Sequence, residues 1–291
     1  MANTLGSVSN GNIVSQRALA LLVEQFPFLT SAYSDFSDAS ARKGDVITTH
    51  LVTAATAVGY STTAGYVAGD RTQTDCIVTL NNLVHSTVAI NDDEAASSSI
   101  NLIERFAASA AHALGKQMVD TLLGTISAAS YTSTMTVAAD VLSYRSIVSM
   151  GVTLDTNKVP SANRYAIVSP NNKASLLNDS SIVANAQIQG DAIRTGSVGI
   201  VNGIEVFSYP SLPSAISKGF AAQSEALLVA ARLPEVPSDY PGSVENVTEP
   251  VSGLSLQMRE FYNPTLGTRN RSYILLYGCG RGSTASLVRL V

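Results

Sequence analysis

The sequence predicts an α+β chain, and three observations carry the prediction. Two runs rich in β-branched residues, DVITTHLVT (45–53) and TDCIVTLNNLVHSTVAI (74–90), bracket a small, glycine-bearing segment, which is the pattern of a long hairpin. One helical pattern then runs from Asn91 to about residue 126. Beyond Tyr131 short helix and strand patterns alternate, and the chain closes on two strands joined by the turn PTLG.

The elements follow in order. In IVSQRALALLVEQ (13–25), Ile13, Ala18, Leu21 and Leu22 fall at helical spacing and Pro27 stops the run, so a short helix is expected in an N-terminal arm spanning 1–44. The extended hairpin then occupies 45–90, and its tip, AATAVGYSTTAGYVAGDRTQ, is longer than most loops of compact domains. A tip of this kind is expected to reach outward to another subunit. NDDE places Asn91 as a helix cap with Glu94 three residues on, and Asp92, Asp93 and Glu94 in the first turn, where the helix dipole favours acids. In the helix that follows, Ile103, Phe106, Ala110, Leu114, Met118 and Leu122 mark one apolar face, and Lys116 and Asp120 form an i,i+4 pair. At about 1.5 Å per residue the whole pattern gives a spine of roughly 50 Å. Next come a helix within 137–152, a strand at RYAIVSP (164–170) and a short helix at NNKASLLND (171–179). GLSLQMREFYN (253–263) and RSYILLYG (271–278) form the closing strand pair.

Composition narrows the function classes. Only 14% of residues are charged, against roughly 25% in ordinary soluble domains. Little charge, without any long apolar run, implies that neighbouring subunits cover much of the surface. The net charge of −4 argues against a general nucleic-acid binder. The C-terminal segment from 251 is the exception, with Arg259, Arg269, Arg271, Arg281 and Arg289 against Glu260 alone. Cys76 and Cys279 lie far apart and outside any metal or redox spacing, which fits a reducing compartment. The start, MANTLGSVSNGN, has no signal-peptide pattern, and no stretch is long and apolar enough to span a membrane.

A search for chemistry finds no catalytic constellation. The glycines of RTGSVGIVNG (194–203) lack the Lys-Ser/Thr of a phosphate loop and precede a strand-like run, IEVFSYP, rather than a helix. Asn202-Gly203 reads instead as a tight hairpin turn, because a type I′ turn needs positive φ at both central residues. His50, His85 and His112 stand outside metal-ligand spacing of one another and of the cysteines. Ser61 in GYSTT lacks the second glycine of a nucleophile elbow. No catalytic, cofactor-binding or metal-binding residue is assigned, and no cofactor is expected.

The order of parts resembles the major capsid proteins of tailed bacteriophages. AINDDEAA leading into AHALGKQMVDTLL is similar to that family's entry into its spine helix, and VPSANRYAIVSPNNKASLLND to the strand and helix of its axial domain. RTGSVGIVNGIEVFSYPSLP resembles its later strand–turn–strand, and GLSLQMREFYNPTLGTRNRSYILLYG its return into the peripheral domain. The resemblance implies a structural shell protein that is not an enzyme, with an arm at 1–44, an extended loop at 45–90, a peripheral domain at 91–138 and 251–291, and an axial domain at 139–250. It implies self-assembly into pentamers and hexamers around a phage genome, in the cytoplasm of a bacterial host. The implied partners are further copies of the chain, a portal, a decoration protein, and weak contact with packaged DNA, with no membrane. The hairpin begins near residue 45, leaving no room for the internal scaffold of many relatives, so a separate scaffolding protein is expected. Lys43 is the only lysine before residue 116, so the covalent crosslinking of some relatives has no support.

Rival readings make different demands. An encapsulin, a cargo compartment of the same fold, encloses an enzyme rather than DNA. A hydrolase built on Ser61 would be active as a monomer and would label with a fluorophosphonate. An extracellular adhesin would need a signal peptide.

Overall fold

The computed structural model describes residues 26–29, 31–52, 57–66, 73–93, 102–138, 141–179, 199–248 and 252–291. Its strands are β1 (Tyr33–Ala41), β2 (Val46–Val52), β3 (Gln73–Thr79), β4 (Asn82–Asn91), β5 (Thr134–Met135), β6 (Arg164–Val168), β7 (Ile200–Val201), β8 (Ile204–Ser208), β9 (Gly219–Gln223), β10 (Leu227–Pro234), β11 (Ser243–Thr248), β12 (Ser255–Asn263), β13 (Thr268–Arg281) and β14 (Leu287–Leu290). Its helices are α1 (Leu102–Gly124), α2 (Tyr144–Thr156) and α3 (Pro170–Leu177).

These strands form two six-stranded sheets and a separate two-stranded ribbon, β2-β3, and residue parity divides their buried side chains among three cores. The first sheet runs β1-β10-β13-β12-β11, with β4 along the other edge of β13. Successive side chains of a strand face opposite ways. Leu227, Val229 and Ala231 of β10 therefore join the main core under α1, while Leu228 and Ala230 join a small core with Cys76, Val78 and Leu80. The second sheet runs β5-β14-β9-β6-β8-β7. Its central strand β6 is buried throughout, because both faces are covered. Tyr165 and Ile167 face the main core, whereas Ala166 and Val168 face a core built on α2 and α3.

Helix α1 holds the two sheets together. Ala110, Ala111, Leu114, Met118, Val119, Leu122 and Leu123 form its buried seam, and each fully buried large side chain contributes about 1.5–3 kcal/mol. Polar ties fix its position. The Tyr277 hydroxyl of β13 bonds Thr121 Oγ1 at 2.9 Å, and the Tyr209 hydroxyl, just past β8, donates to Asp120 Oδ1 at 2.6 Å. Lys116 donates to the other Asp120 oxygen at 2.5 Å, which is the expected i,i+4 pair.

Local sequence explains the element ends. Ser143 caps α2 with a reciprocal Ser143–Ser146 capping box, and Ser169 caps α3 with Pro170 in its first turn. Asn202 and Gly203 join β7 to β8 at φ 51° and 74°, both positive as a type I′ turn requires. β12 and β13 form the expected hairpin, with Asn263 opposite Thr268.

Several expectations change. The stretch 45–90 is not a single hairpin. β2 and β3 pair from Val46–Thr79 to Val52–Gln73, but the chain breaks at Leu80 and Asn81, and β4 pairs with β13 instead. Leu80 is fully buried, with its amide on Asp45 O and its carbonyl on Gly44 N, so it anchors the ribbon root rather than extending it. Tyr33–Ala41, read as part of an arm, is a strand parallel to β10. The division at 250 falls between β11 and β12, which pair with each other, and β14 joins the second sheet. Asn91 ends β4 and residues 92 and 93 are helical, so the helix entry falls where expected. α1 is described over 23 residues, about 35 Å, and residues 94–101 of the expected 50 Å spine lie outside the described residues. Glu94, the side chains of Ile103 and Phe106, the helix at 13–25, and Arg194 and Gly196 lie outside the described residues.

Candidate assembly surface

The ribbon of β2 and β3 has one buried and one exposed face. Its inner face seats Cys76 and Val78 against Leu228, Ala230 and Leu276. That seat depends on two glycines two residues apart on one face of β13. A Cβ at Gly278 would meet the Thr79 carbonyl, 2.8 Å from its carbon, and one at Gly280 would lie 2.8 Å from Val78 Cγ2. With no side chain at either position, the backbone of β3 lies directly on β13. At the root, Gly44 turns the chain at φ +100°, a conformation that favours glycine.

Among the described residues, the outer face and the tip are exposed. Val46 and Ile77 are 56% and 60% exposed, and Tyr66 at the tip is 94% exposed. Tyr60 and Tyr66 lie 5.1 Å apart between ring centroids, flanking a Ser61–Gly65 bridge. On the same outer face His50 Nδ1 pairs with Asp75 Oδ1 at 2.7 Å. Seven paired residues make a ribbon of about 24 Å, and a twenty-residue connection continues beyond it.

A second exposed region is the hairpin of β12 and β13, where Glu260 receives both Arg269 and Arg271. Burial opposes its charge, but the two guanidinium groups outweigh that cost and hold its carboxyl below the usual glutamate range. Tyr262 donates to Asp92 Oδ2 at 2.6 Å, and the Asp92 amide bonds Gly267 O, so this hairpin also fixes the entry to the helix. Arg42 and Glu235 form a fully exposed pair near the ribbon root, and their mutual hydrogen bond lowers the Glu235 pKa. Exposed pairs of this kind contribute little.

The residues singled out from the sequence do not converge. His50 sits on the ribbon, His85 on the exposed face of β4, and His112 on α1, where it stacks with Phe26 at 5.6 Å. Ser61 Oγ accepts from the amides of Thr63 and Ala64 within the tip. Cys76 and Cys279 are free thiols, and burial pushes both pKa values up, that of Cys279 to about 12. Among the described residues no group of three or more His, Cys, Asp or Glu is placed to hold a metal, and no helix is long and apolar enough to cross a membrane. Sequence reasoning missed the glycine seat. Its signal is the GCG of YGCGRG, two glycines at strand spacing inside a run that reads as a buried strand.

Among the described residues, two six-stranded sheets pack on one helix and a two-stranded ribbon stands exposed beside them. The model of the phage capsid protein family matches residues 86–274, and the chain belongs to that family. It is a structural protein of the icosahedral shell of a phage virion, not an enzyme. Among solved structures it is similar to the capsid of the cyanophage P-SCSP1u, with TM-score 0.61 and 13% identity over 90% of this chain and 86% of that one. It is similar to a chain of Mycobacterium phage Che8, with TM-score 0.56 and 16% identity over 91% and 87%. It is also similar to the virus-like particle from Pyrococcus furiosus, with TM-score 0.51 and 10% identity over 95% and 98%. At these identities the likeness is one of fold. No curated protein matches the chain by sequence.

Proposed function

We propose that the chain builds its shell from pentamers and hexamers, and that the β2–β3 ribbon is the extended loop by which each subunit lies over a neighbour. The ribbon supports this reading best: it is held rigidly at its root by an intrachain core, yet carries exposed Val46, Ile77, Tyr60 and Tyr66 outward. In this reading α1 is the spine, and it belongs with the β12–β13 hairpin to a peripheral domain. The α2, α3 and β6–β9 region forms the axial domain. Assembly takes place in a bacterial host with a separate scaffolding protein and a portal, and the arginines beyond residue 251 lie near packaged DNA.

Electron microscopy of the purified protein tests the reading. Closed shells, or isolated rings of five and six, are expected from the intact chain. Replacing residues 57–66 with a Gly-Ser linker leaves the fold intact and abolishes closed shells. Shells of normal size and yield from that variant would remove the ribbon from the contact.

A further inference from the structure

Tyr60 and Tyr66 at the ribbon tip are held in place by the turn between them. The Gly65 amide bonds Ser61 O at 2.7 Å, and Ser61 Oγ accepts from the amides of Thr63 and Ala64 at 3.3 Å. Gly65 closes the turn at φ +66°, in the region that favours glycine. The two exposed rings therefore stand 5.1 Å apart at an open angle of 50°, not in a parallel stack. Their π faces attract cations. Thr62 and Thr63, between them in sequence, carry hydroxyls that make no hydrogen bond among the described residues and can accept N–H donors. Residues 57–66 bear no charge, so nothing at the tip would neutralise a compact, strongly hydrated ammonium. A guanidinium is more weakly hydrated and stacks on aromatic faces. The chain makes this contact internally, with Arg259 Cζ 5.6 Å from the Tyr240 ring centroid.

Arg145 is a guanidinium without a use inside the chain. Among the described arginine side chains it alone makes no hydrogen bond or ion pair. It is exposed in the first turn of α2, just after the cap Ser143, where the helix dipole disfavours a cation. Val141 and Tyr144 beside it are exposed as well, giving it the mixed aromatic and apolar surroundings of an interface arginine.

We infer that Tyr60 and Tyr66 of one subunit clamp the Arg145 guanidinium of a second copy, with the Thr62 and Thr63 hydroxyls accepting its N–H groups. The inference rests on the reading that the ribbon lies over a neighbour, and it names the contact made by the tip. Tip and helix are different surfaces, so the contact is head-to-tail and can repeat around a ring. The turn fixes both rings beforehand, so little side-chain freedom is lost when the cation enters.

Light scattering over a series of subunit concentrations gives the critical concentration for shell assembly and tests the contact. Tyr66→Leu and Arg145→Gln are each expected to raise it about two- to fivefold. Tyr66→Phe keeps the π face and is expected to assemble as the parent does. In the Tyr66→Leu, Arg145→Gln double variant the losses do not multiply, because either change alone removes the contact. Both positions are exposed, so urea midpoints stay near the parent value and an assembly loss is not a folding loss. The inference is overturned if either single variant assembles as the parent does, if Tyr66→Phe fails as Tyr66→Leu does, or if the losses multiply. The Gly-Ser replacement of residues 57–66 separates this contact from the wider reading. If it blocks closed shells while Tyr66→Leu assembles normally, the arginine contact alone falls; if it leaves shells intact, the ribbon contact falls with it.

Discussion

Gly278→Ala adds one methyl group between β13 and the ribbon lying on it. The new carbon would meet the Thr79 carbonyl, with the carbonyl carbon at 2.8 Å and Val78 Cγ1 at 3.0 Å. Ordinary carbon contacts lie at about 3.5–4.0 Å, so β3 must lift by about 0.5–1 Å, a gap that forfeits roughly a quarter to a half of each affected dispersion contact. Both clashing groups belong to the backbone or to a β-branched side chain, and neither can swing aside. Overpacking of this kind costs about 1–3 kcal/mol. Restricting the unfolded chain by replacing glycine returns about 0.4–1 kcal/mol, so a net loss of about 1–2 kcal/mol is expected. Urea unfolding should show a lower midpoint at unchanged m. Cys76, 8% exposed on the inner face of the ribbon, should label faster with a thiol reagent as the seat opens. Gly59→Ala is the control, because its added carbon has nothing within 4 Å. A Gly278→Ala protein with the parent midpoint and parent Cys76 labelling would refute the seat.

Three further outcomes follow from the geometry. Asn202→Ala places alanine at φ 51° and should cost about 1 kcal/mol in urea unfolding, whereas Asn202→Gly should stay within about 0.5 kcal/mol of the parent. Glu260→Gln should cost about 2 kcal/mol at neutral pH, because it leaves Arg271 without its carboxylate. The folded pKa of Glu260 is depressed, so its contribution is present above the unfolded glutamate value and is lost as pH falls through the folded one. The parent and Glu260→Gln stability curves should therefore converge in acid, and parallel curves would contradict the assigned pairing. Cys279, with its pKa pushed to about 12, should resist iodoacetamide at pH 8 in the folded chain and react once the chain is unfolded in urea.

Signals confined to neighbouring residues were readable in the sequence. Asn202-Gly203 and the Lys116–Asp120 pair each carry their structural reason within four residues, and each sits where expected. The Ala-rich seam of α1 was legible for the same reason, since period 3.6 is a local property. What failed were pairings between distant residues. β3 and β4 form one β-prone run, and only the burial of Leu80 against Leu228 and Leu276, about 150 to 200 residues away, breaks it in two. β1 reads YSDFSDASA, a polar stretch without strand propensity, and becomes a strand because β10 offers it an open edge.

The order of these contacts bears on how a shell subunit can exist before it has neighbours. Exposed Val46, Ile77 and Tyr66 on a chain with 14% charged residues favour association. If the ribbon were held only by contacts to other copies, each joining event would have to order it, at an entropic cost of about 1–2 kcal/mol per residue. The ribbon root avoids this, because Cys76, Val78 and Leu80 are buried against β10 and β13 of the same chain. The glycine pair on β13 makes that burial close enough to fix the direction in which the ribbon leaves. A subunit therefore presents an ordered ribbon root before any neighbour arrives. Loosening the seat should harm assembly more than it harms folding. Gly278→Ala is the substitution that separates the two: its shells should form more slowly than those of a variant destabilised equally in the core beneath α2.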